Sequence, residues 1–206
     1  MIVIGLTGSI AMGKSTTARM FRCFGAVLFD SDATVHALMA PGGAGVDPIR
    51  RRFGAVVRAD GGIDRGLLGR EVLREGGALA ELEAILHPLV GKQQRRFLAT
   101  LRRQNAHLAL LDVPLLFETG GDRRCDVTVV ASAPAWLQAQ RVLSRPGMTQ
   151  AKLEAIRARQ MPDPEKRRRA DFSVFTGCGR GPAFAQVAAI AARLSDRVGS
   201  AWPDRW

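Results

Sequence analysis

The chain has 206 residues, of which 47% are hydrophobic and 24% charged, and its net charge is +11. A chain of this length buries about 70% of its extended-chain surface, so a single domain needs no disulfides to hold it. No apolar run is long enough to cross a membrane, and the short run at the start lacks the preceding basic segment of a signal peptide. Cys23, Cys125 and Cys178 lack metal-ligand spacing and predict free thiols in a reducing, cytoplasmic compartment.

The positive charge comes from 30 basic against 19 acidic residues. Either a nucleic acid or a polyanionic small substrate would suit this charge. The arginines are spread along the chain, and there is no Tyr and little aromatic interleaving for base stacking. The composition therefore favours the small polyanionic substrate, and we expect no nucleic-acid partner.

The first sixteen residues predict a phosphate-binding loop. A β-branched run at 2–4 indicates a buried strand, and a helix is expected from Lys14 to about Phe24. Between them, residues 8–15 match G-x-x-x-x-G-K-[ST], in which the lysine reaches the β- and γ-phosphates and Ser15 can hold Mg²⁺. The residues expected to contact ATP in this segment are Gly8, Ser9, Ile10, Ala11, Met12, Gly13, Lys14, Ser15 and Thr16.

Strands and helices alternate along the rest of the chain. Four more strands are predicted, at 26–29, 108–113, 127–130 and 172–175. Helices are predicted at 33–39, 48–53, 65–73, 78–86, 89–103, 134–143, 150–160, 165–170 and 183–198. This alternation predicts an α/β fold with a five-stranded parallel sheet covered by helices on both faces. Residues 47–104 hold no convincing strand apart from Val56-Val57, so they form a helical insert on the substrate side.

Local signals predict where several helices begin and end. His87-Pro88 is expected to separate two helices, because proline suits a first helical turn and not an interior. The tail from Gly199 is expected to be frayed. The predicted helix caps are Ser31 or Asp32, then Asp64, Ser132 and Thr149.

Carboxylates follow two of the predicted strands, where ligands bind in open α/β sheets. Asp30 or Asp32 can take a proton from an acceptor hydroxyl, or both can merely cap the next helix. Asp112 ends the most hydrophobic strand as a Walker-B carboxylate does and can bind Mg²⁺, or it can be a turn residue.

Basic residues late in the chain suggest a lid. Arg141 and Arg145 lie four apart, on one face of a helix, with Arg157 and Arg159 beyond the next break. Such a hairpin can close over a transferring phosphate, although a solvated face is the commoner role of arginine. The run 166–169 predicts a solvated basic face, and His87 contacts either a substrate or the loop backbone.

Several ordered motifs resemble the dephospho-coenzyme A kinase family over nearly the whole chain, from Ile4 to about Leu194. The segments that carry the resemblance are 4–8 with 13–16, Asp30-Ser31-Asp32, D-G-G-I-D-R at 60–65, L-H-P-L-V at 86–90, D-V-P-L-L-F-E at 112–118, Gln140-Arg141, Arg145 and Arg159-Gln160. The phosphate loop alone would name only a superfamily, whereas the loop together with the H-P-L and P-L-L-F-E stretches is specific.

The resemblance implies that ATP phosphorylates the ribose 3′-hydroxyl of dephospho-coenzyme A to give coenzyme A and ADP. It implies a nucleotide-binding core at 1–40 and 105–206, a coenzyme-binding insert at 41–104 and a lid region at 135–170. By position, Asp32 would be the general base, Lys14 would hold the transferring phosphate, and Ser15 and Asp112 would hold the Mg²⁺. Arg141 and Arg145 would act on the ATP from the lid. Arg65 and His87 would lie on the coenzyme side, and Pro114 and Leu116 would line the acceptor pocket.

Two other functions remain open at this point. One is a P-loop kinase of a nucleoside or another small metabolite, and the other is a basic nucleotide-binding module that binds RNA. The turn Thr176-Gly177-Cys178-Gly179 departs from the Asn-rich turn usual in the family, where it helps to hold the base. A monomer or weak oligomer without membrane attachment is expected.

Overall fold

A computed structural model describes all 206 residues. It contains one five-stranded sheet in the order β2-β3-β1-β4-β5, and the strands run parallel. The strands are β1 (Ile2–Thr7), β2 (Ala26–Asp30), β3 (Leu108–Asp112), β4 (Val127–Ser132) and β5 (Phe172–Phe175). The predicted α/β class, with five parallel strands, is confirmed.

Nine helices accompany the strands. They are α1 (Lys14–Arg22), α2 (Ser31–Met39), α3 (Val46–Phe53), α4 (Arg65–Arg74), α5 (Ala78–Arg103), α6 (Ala135–Leu143), α7 (Gln150–Ala158), α8 (Asp163–Arg169) and α9 (Arg180–Leu194). A short 3₁₀ turn covers Gly121–Arg124. No helix combines the length and the apolar character needed to cross a lipid bilayer.

The central strands are continuous apolar runs because both faces of the sheet are covered. Every residue of β1, β3 and β4 is buried. Ile4 pairs with Leu110 on one side and with Val127 on the other, and all three belong to one core cluster. Helices α1 and α9 contribute Phe21 and Val187 to the same cluster. This packing fixes β1, and therefore the loop that follows it, in the middle of the sheet.

The chain divides into two compact units, Met1–Phe29 with Thr100–Trp206, and Asp30–Ala99. The first unit contains the sheet. The second is helical and has its own core, which includes Ile49, Ile63 and Leu68. Its one β-type pairing is the isolated antiparallel bridge between Val57 and Ile63.

One predicted break is wrong: α5 runs through His87-Pro88 without interruption. Proline removes one helical hydrogen bond and crowds the preceding turn, which disfavours an interior position. Here the flanking residues Leu86 and Leu89 pack into the core of the helical unit. Tertiary packing therefore outweighs the local preference for a break.

Two of the predicted helix caps, Asp64 and Thr149, are confirmed, and the predicted cap Ser132 is wrong. Asp64 caps α4 by accepting from two backbone N–H groups, and Thr149 caps α7 by accepting from the N–H of Lys152, as predicted. Ser132 does not cap a helix, because it is the last residue of β4 and its hydroxyl donates to Asp163 Oδ2 at 2.7 Å.

The C-terminal tail is packed, contrary to the expectation of fraying. Asp126 Oδ1 accepts from the N–H groups of Ser200 and Ala201 at 2.6 and 2.7 Å. Its other oxygen accepts from the N–H of Val3 at 2.8 Å, and the Trp206 indole donates to the Arg124 carbonyl at 2.9 Å. One carboxylate therefore joins the tail to the first strand.

We expect Asp126→Ala to lower the free energy of unfolding by about 2–4 kcal/mol, because bonds to a charged acceptor are lost and the N–H of buried Val3 is left unpaired. Chemical denaturation measures this loss. Asp196→Ala is the control, since that exposed carboxylate accepts only from its neighbour Ser195. Equal, small effects of both substitutions would show that the tail adds nothing to stability.

Candidate functional site

The predicted phosphate loop joins β1 to α1, and its two motif glycines lie where a side chain has no room. A Cβ at Gly8 would come within 2.6 Å of the Ala131 carbonyl oxygen in β4. A Cβ at Gly13 would come within 2.8 Å of the Thr176 side chain, and Gly13 has a φ of +92°. The loop is therefore pressed against the ends of β4 and β5.

Lys14 and Asp112, which the sequence suggested separately, form an ion pair. Lys14 begins α1 and Asp112 ends β3, so the pair joins the loop to the neighbouring strand. The two side chains are only 14% and 6% exposed. This places a cation and a carboxylate together at the carboxyl end of the sheet.

Two oxygen donors suited to Mg²⁺ are the Ser15 hydroxyl and the Asp112 carboxylate. Ser15 directly follows Lys14, the ion-pair partner of Asp112. No group of three His, Cys, Asp or Glu side chains could hold a metal ion by itself. Two protein oxygens are enough for Mg²⁺, because this ion usually keeps several water ligands and takes further ligands from substrate phosphates.

Arg141 is held against the loop. Its guanidinium donates to the Ala11 carbonyl at 3.3 Å and to the Thr176 carbonyl and hydroxyl at 3.0 and 3.2 Å. Arg145, in contrast, lies beyond the end of α6 and is exposed. The prediction that these two arginines share one helix face is wrong, because the helix ends at Leu143.

The segment after β3 is tied to the rest of the sheet edge through Pro114. Its carbonyl accepts from the Thr7 hydroxyl at 3.0 Å and from Lys166 Nζ at 3.3 Å. Leu116 is 1% exposed, and its side chain fills the space beside Gly5. Leu116 is therefore a packing residue in this structure, while Pro114 is partly exposed.

The run 166–169 is not a uniformly solvated face, as the sequence suggested. Lys166 is fully buried, and its ammonium lies 2.9 Å from Glu118 Oε1. Arg167 pairs with Asp163 at 3.2 Å, and Arg169 pairs with Asp122 at 3.0 Å. No local pattern indicates the burial of Lys166, because its partner Glu118 lies far away in the chain.

A cavity of about 530 Å³ borders the phosphate loop. Its walls include Ser9 and Met12 of the loop, Pro134 and Gln138 at the start of α6, and Phe175 at the end of β5. The cavity therefore continues the loop toward the ends of β4 and β5.

Within the helical unit, the structure separates the two candidate bases. Asp30 caps α2, because its Oδ1 accepts from the N–H of Ala33 at 2.9 Å. Neither Ser31 nor Asp32 is the cap, since the Ser31 hydroxyl is buried without a partner and Asp32 lies in the first turn. The Asp32 carboxylate is exposed and makes no hydrogen bond or ion pair, so it is available to a ligand.

His36 is a candidate that the sequence left unassigned. It lies four residues after Asp32, on the same face of α2, and its Nε2 contacts Arg65 Nη1. Arg65 is the first residue of α4 and directly follows the helix cap Asp64. The pKa of the Asp64 carboxyl is lowered, because its carboxylate accepts from the N–H groups of Leu67 and Gly66. An exposed carboxylate, an imidazole and a guanidinium therefore belong to one surface. The i, i+4 spacing could have suggested the nearness of Asp32 and His36, whereas the contact with Arg65 is tertiary.

His87 is exposed in the middle of α5 and makes no hydrogen bond. It therefore does not hydrogen-bond the backbone of a loop, and of its two predicted roles only contact with a substrate remains. Its surface position leaves the ring open to a ligand.

Comparison with known proteins agrees with these features. A model of the dephospho-CoA kinase family matches residues 2–177. A protein of Paramagnetospirillum magneticum called dephospho-CoA kinase is 56% identical over 81% of this chain and 78% of its own length. Another of that name, from Mesorhizobium japonicum, is 52% identical over 97% of this chain and all of its own length.

The fold also has a solved counterpart. A crystal structure of a Thermus thermophilus protein is 34% identical to this chain, with a TM-score of 0.78. The similarity covers 96% of this chain and 98% of the other. The arrangement of strands, loop and helices is therefore shared over essentially the whole length.

Removing one member of the buried Lys166–Glu118 pair should be costly. We expect Lys166→Met to lower the free energy of unfolding by about 3–5 kcal/mol, because Glu118 is left as an unpaired, largely buried charge. Adding Glu118→Gln should recover part of this loss, since the amide oxygen can still accept from the N–H of Met161. Thermal or urea unfolding measures both effects.

Arg168→Met is the matched control, because Arg168 is exposed and makes no ion pair. Its effect should stay within about 0.5 kcal/mol. If the double variant loses as much free energy of unfolding as Lys166→Met and Glu118→Gln lose in sum, the two charges are not coupled.

Proposed function

The chain belongs to the dephospho-CoA kinase family, whose activity is the ATP-dependent phosphorylation of dephospho-coenzyme A, and we propose how its residues divide that work. The enzyme transfers the terminal phosphoryl group of ATP to the ribose 3′-hydroxyl and releases coenzyme A and ADP. This is the last step of coenzyme A biosynthesis, so the chain is a transferase. The observation that carries this function is the family match over residues 2–177, which includes the phosphate loop and the P-L-L-F-E segment.

We assign the ATP phosphates to the loop from Gly8 to Thr16. Phosphoryl transfer needs positioning and charge neutralisation more than covalent chemistry from the protein. Backbone N–H groups of the loop and the positive end of α1 supply fixed dipoles, and the Lys14 ammonium supplies a full charge. Arg141 and Arg145 add positive charge from the lid region, proposed as residues 135–170.

We place Mg²⁺ on the Ser15 hydroxyl and the Asp112 carboxylate. The ion, when bound with ATP, would neutralise charge on the phosphate oxygens. Asp112 has a second task, because it forms an ion pair with the Lys14 ammonium. That pairing keeps both buried charges compensated.

We assign the general base to Asp32. A carboxylate can take the proton from the attacking 3′-hydroxyl as the new bond to phosphorus forms. The exposed, unpaired carboxylate of Asp32 supports this role, whereas that of Asp30 is occupied as a helix cap.

We assign recognition of the coenzyme to the helical stretch 41–104, with Arg65 and His87 as contacts. Arg65 presents a guanidinium, the group best suited to the phosphates of the acceptor. Pro114 and Leu116 form the acceptor wall, in which buried Leu116 acts by packing and Pro114 by contact. We further propose a cytoplasmic monomer or weak oligomer that binds no nucleic acid.

A kinase of another nucleoside or metabolite would share the loop and Lys14. It would not need the H-P-L and P-L-L-F-E segments, which support the coenzyme acceptor. Phosphorylation of nucleosides in preference to dephospho-coenzyme A would favour this alternative.

The decisive experiment incubates the protein with ATP, Mg²⁺ and dephospho-coenzyme A and detects coenzyme A by mass spectrometry. Asp32→Asn should lower kcat by about 10²- to 10⁴-fold, because the base is lost while the size of the side chain is kept. Asp30→Asn is the matched control, since asparagine caps helices as well as aspartate and should leave the rate near that of the wild type.

The reverse pattern, with Asp30→Asn inactive and Asp32→Asn active, would move the base to Asp30. Similar rates for all three proteins would remove both carboxylates from the chemistry. No coenzyme A from a folded wild-type protein that binds ATP would contradict the proposed acceptor.

A further inference from the structure

Two glutamines hold the peptide groups of one residue in the phosphate loop. The Ile10 N–H donates to Gln160 Oε1 at 3.2 Å, and the Ile10 carbonyl accepts from Gln138 Nε2 at 3.0 Å. Gln138 belongs to α6, and Gln160 follows α7. Both bonds connect the loop to residues more than 120 positions later in the chain.

The orientation of the Gln138 amide is itself fixed. Its Oε1 accepts two hydrogen bonds from the guanidinium of Arg157, from Nε at 2.9 Å and from Nη2 at 2.6 Å. Arg157 also donates to the Ala135 carbonyl at 3.3 Å. Since the oxygen is occupied by a cation and Gln138 is only 3% exposed, the NH₂ group must face Ile10.

The next two carbonyls of the loop are also bonded by side chains. Ala11 accepts from Arg141 at 3.3 Å, and Met12 accepts from the Thr176 hydroxyl at 2.8 Å. Three successive carbonyls are therefore bonded by side chains of α6 or of the residue after β5.

This arrangement decides where the N–H groups point. In a trans peptide, the C=O of one residue and the N–H of the next point in opposite directions. The carbonyls of Ile10 and Met12 are bonded by Gln138 and Thr176, so the N–H groups of Ala11 and Gly13 point the opposite way, and neither makes a hydrogen bond within the protein. Ala11 has a φ of +59°, the left-handed conformation found in anion-binding nests.

We propose that Gln138 and Gln160, with Arg157 behind Gln138, are positioning residues for the triphosphate of ATP. They hold the Ile10 peptide in the orientation that presents the loop N–H groups to phosphate oxygens. They act through the loop backbone, since the bonds of both glutamines to the Ile10 peptide groups carry this role. The inference rests on the proposed assignment of this loop to the ATP phosphates.

The test uses Gln138→Met and Gln160→Met, which keep the size of the side chain and remove its hydrogen bonds. Calorimetry measures binding of ATP and of inorganic triphosphate, and ligand-observed NMR measures binding of adenosine. Each variant should weaken both phosphate ligands by about tenfold, the effect of one or two lost hydrogen bonds. Adenosine affinity and the KM for dephospho-coenzyme A should remain unchanged, while the KM for ATP rises.

Gln150→Met is the matched control, because Gln150 lies in α7 and its side chain bonds only to Glu154, at 2.7 Å. It should bind all three ligands like the wild type. Gln160 is only partly buried, so Gln160→Met remains informative if substitution of the more buried Gln138 prevents folding.

Unchanged triphosphate affinity in Gln138→Met and Gln160→Met would overturn the proposal. Parallel losses for adenosine and triphosphate would also overturn it, since they would indicate general damage to the fold. Lys14→Met tests the underlying assignment separately. If it leaves wild-type triphosphate binding intact, the loop is not the phosphate site, and the proposed function fails independently of the glutamines.

Discussion

The ion pair between Lys14 and Asp112 is the interaction on which the proposed site depends. Both side chains are largely withdrawn from water, so neither charge can be left without a partner. Each charge compensates the other. A phosphate that draws the ammonium away leaves the carboxylate in need of a cation, which Mg²⁺ would supply. Charge compensation thus links the proposed phosphate and metal sites at the end of the sheet.

The shape of the loop depends on contacts from outside it. Gly8 and Gly13 allow it to approach Ala131 and Thr176, and side-chain donors then bond its carbonyls. Arg141 is part of this arrangement, since it bonds Ala11 and Thr176. Thr176 lies directly after β5 and joins the turn that begins there to the loop, because its hydroxyl donates to the Met12 carbonyl. A hydroxyl at this position can both accept from the guanidinium and donate to the loop.

Local signals account for what could be predicted correctly. The three central strands are short runs of buried residues, most of them apolar, because both faces of the sheet are covered there. The outer strands β2 and β5 are only partly buried, but they are also short and rich in apolar residues. Asp64 and Thr149 are helix caps because each side chain bonds N–H groups within three residues. The predictions failed where a local rule met long-range packing. The helix through Pro88 and the ordered tail after Gly199 are both held by residues far away in the chain.

The sequence by itself determined the phosphate loop, the order of strands and helices, and the motifs that identify the family, because each is written in neighbouring residues. Only the tertiary structure decided which charges are buried and which side chains meet. Lys166 looked like one of four solvated basic residues, yet it is enclosed with Glu118. Gln138 carries no local signal and Gln160 is marked only by the motif Arg159-Gln160, and neither indicates the partner Ile10, which lies near the other end of the chain. Folding brings such groups together, and the desolvation of their polar atoms then makes each partner necessary.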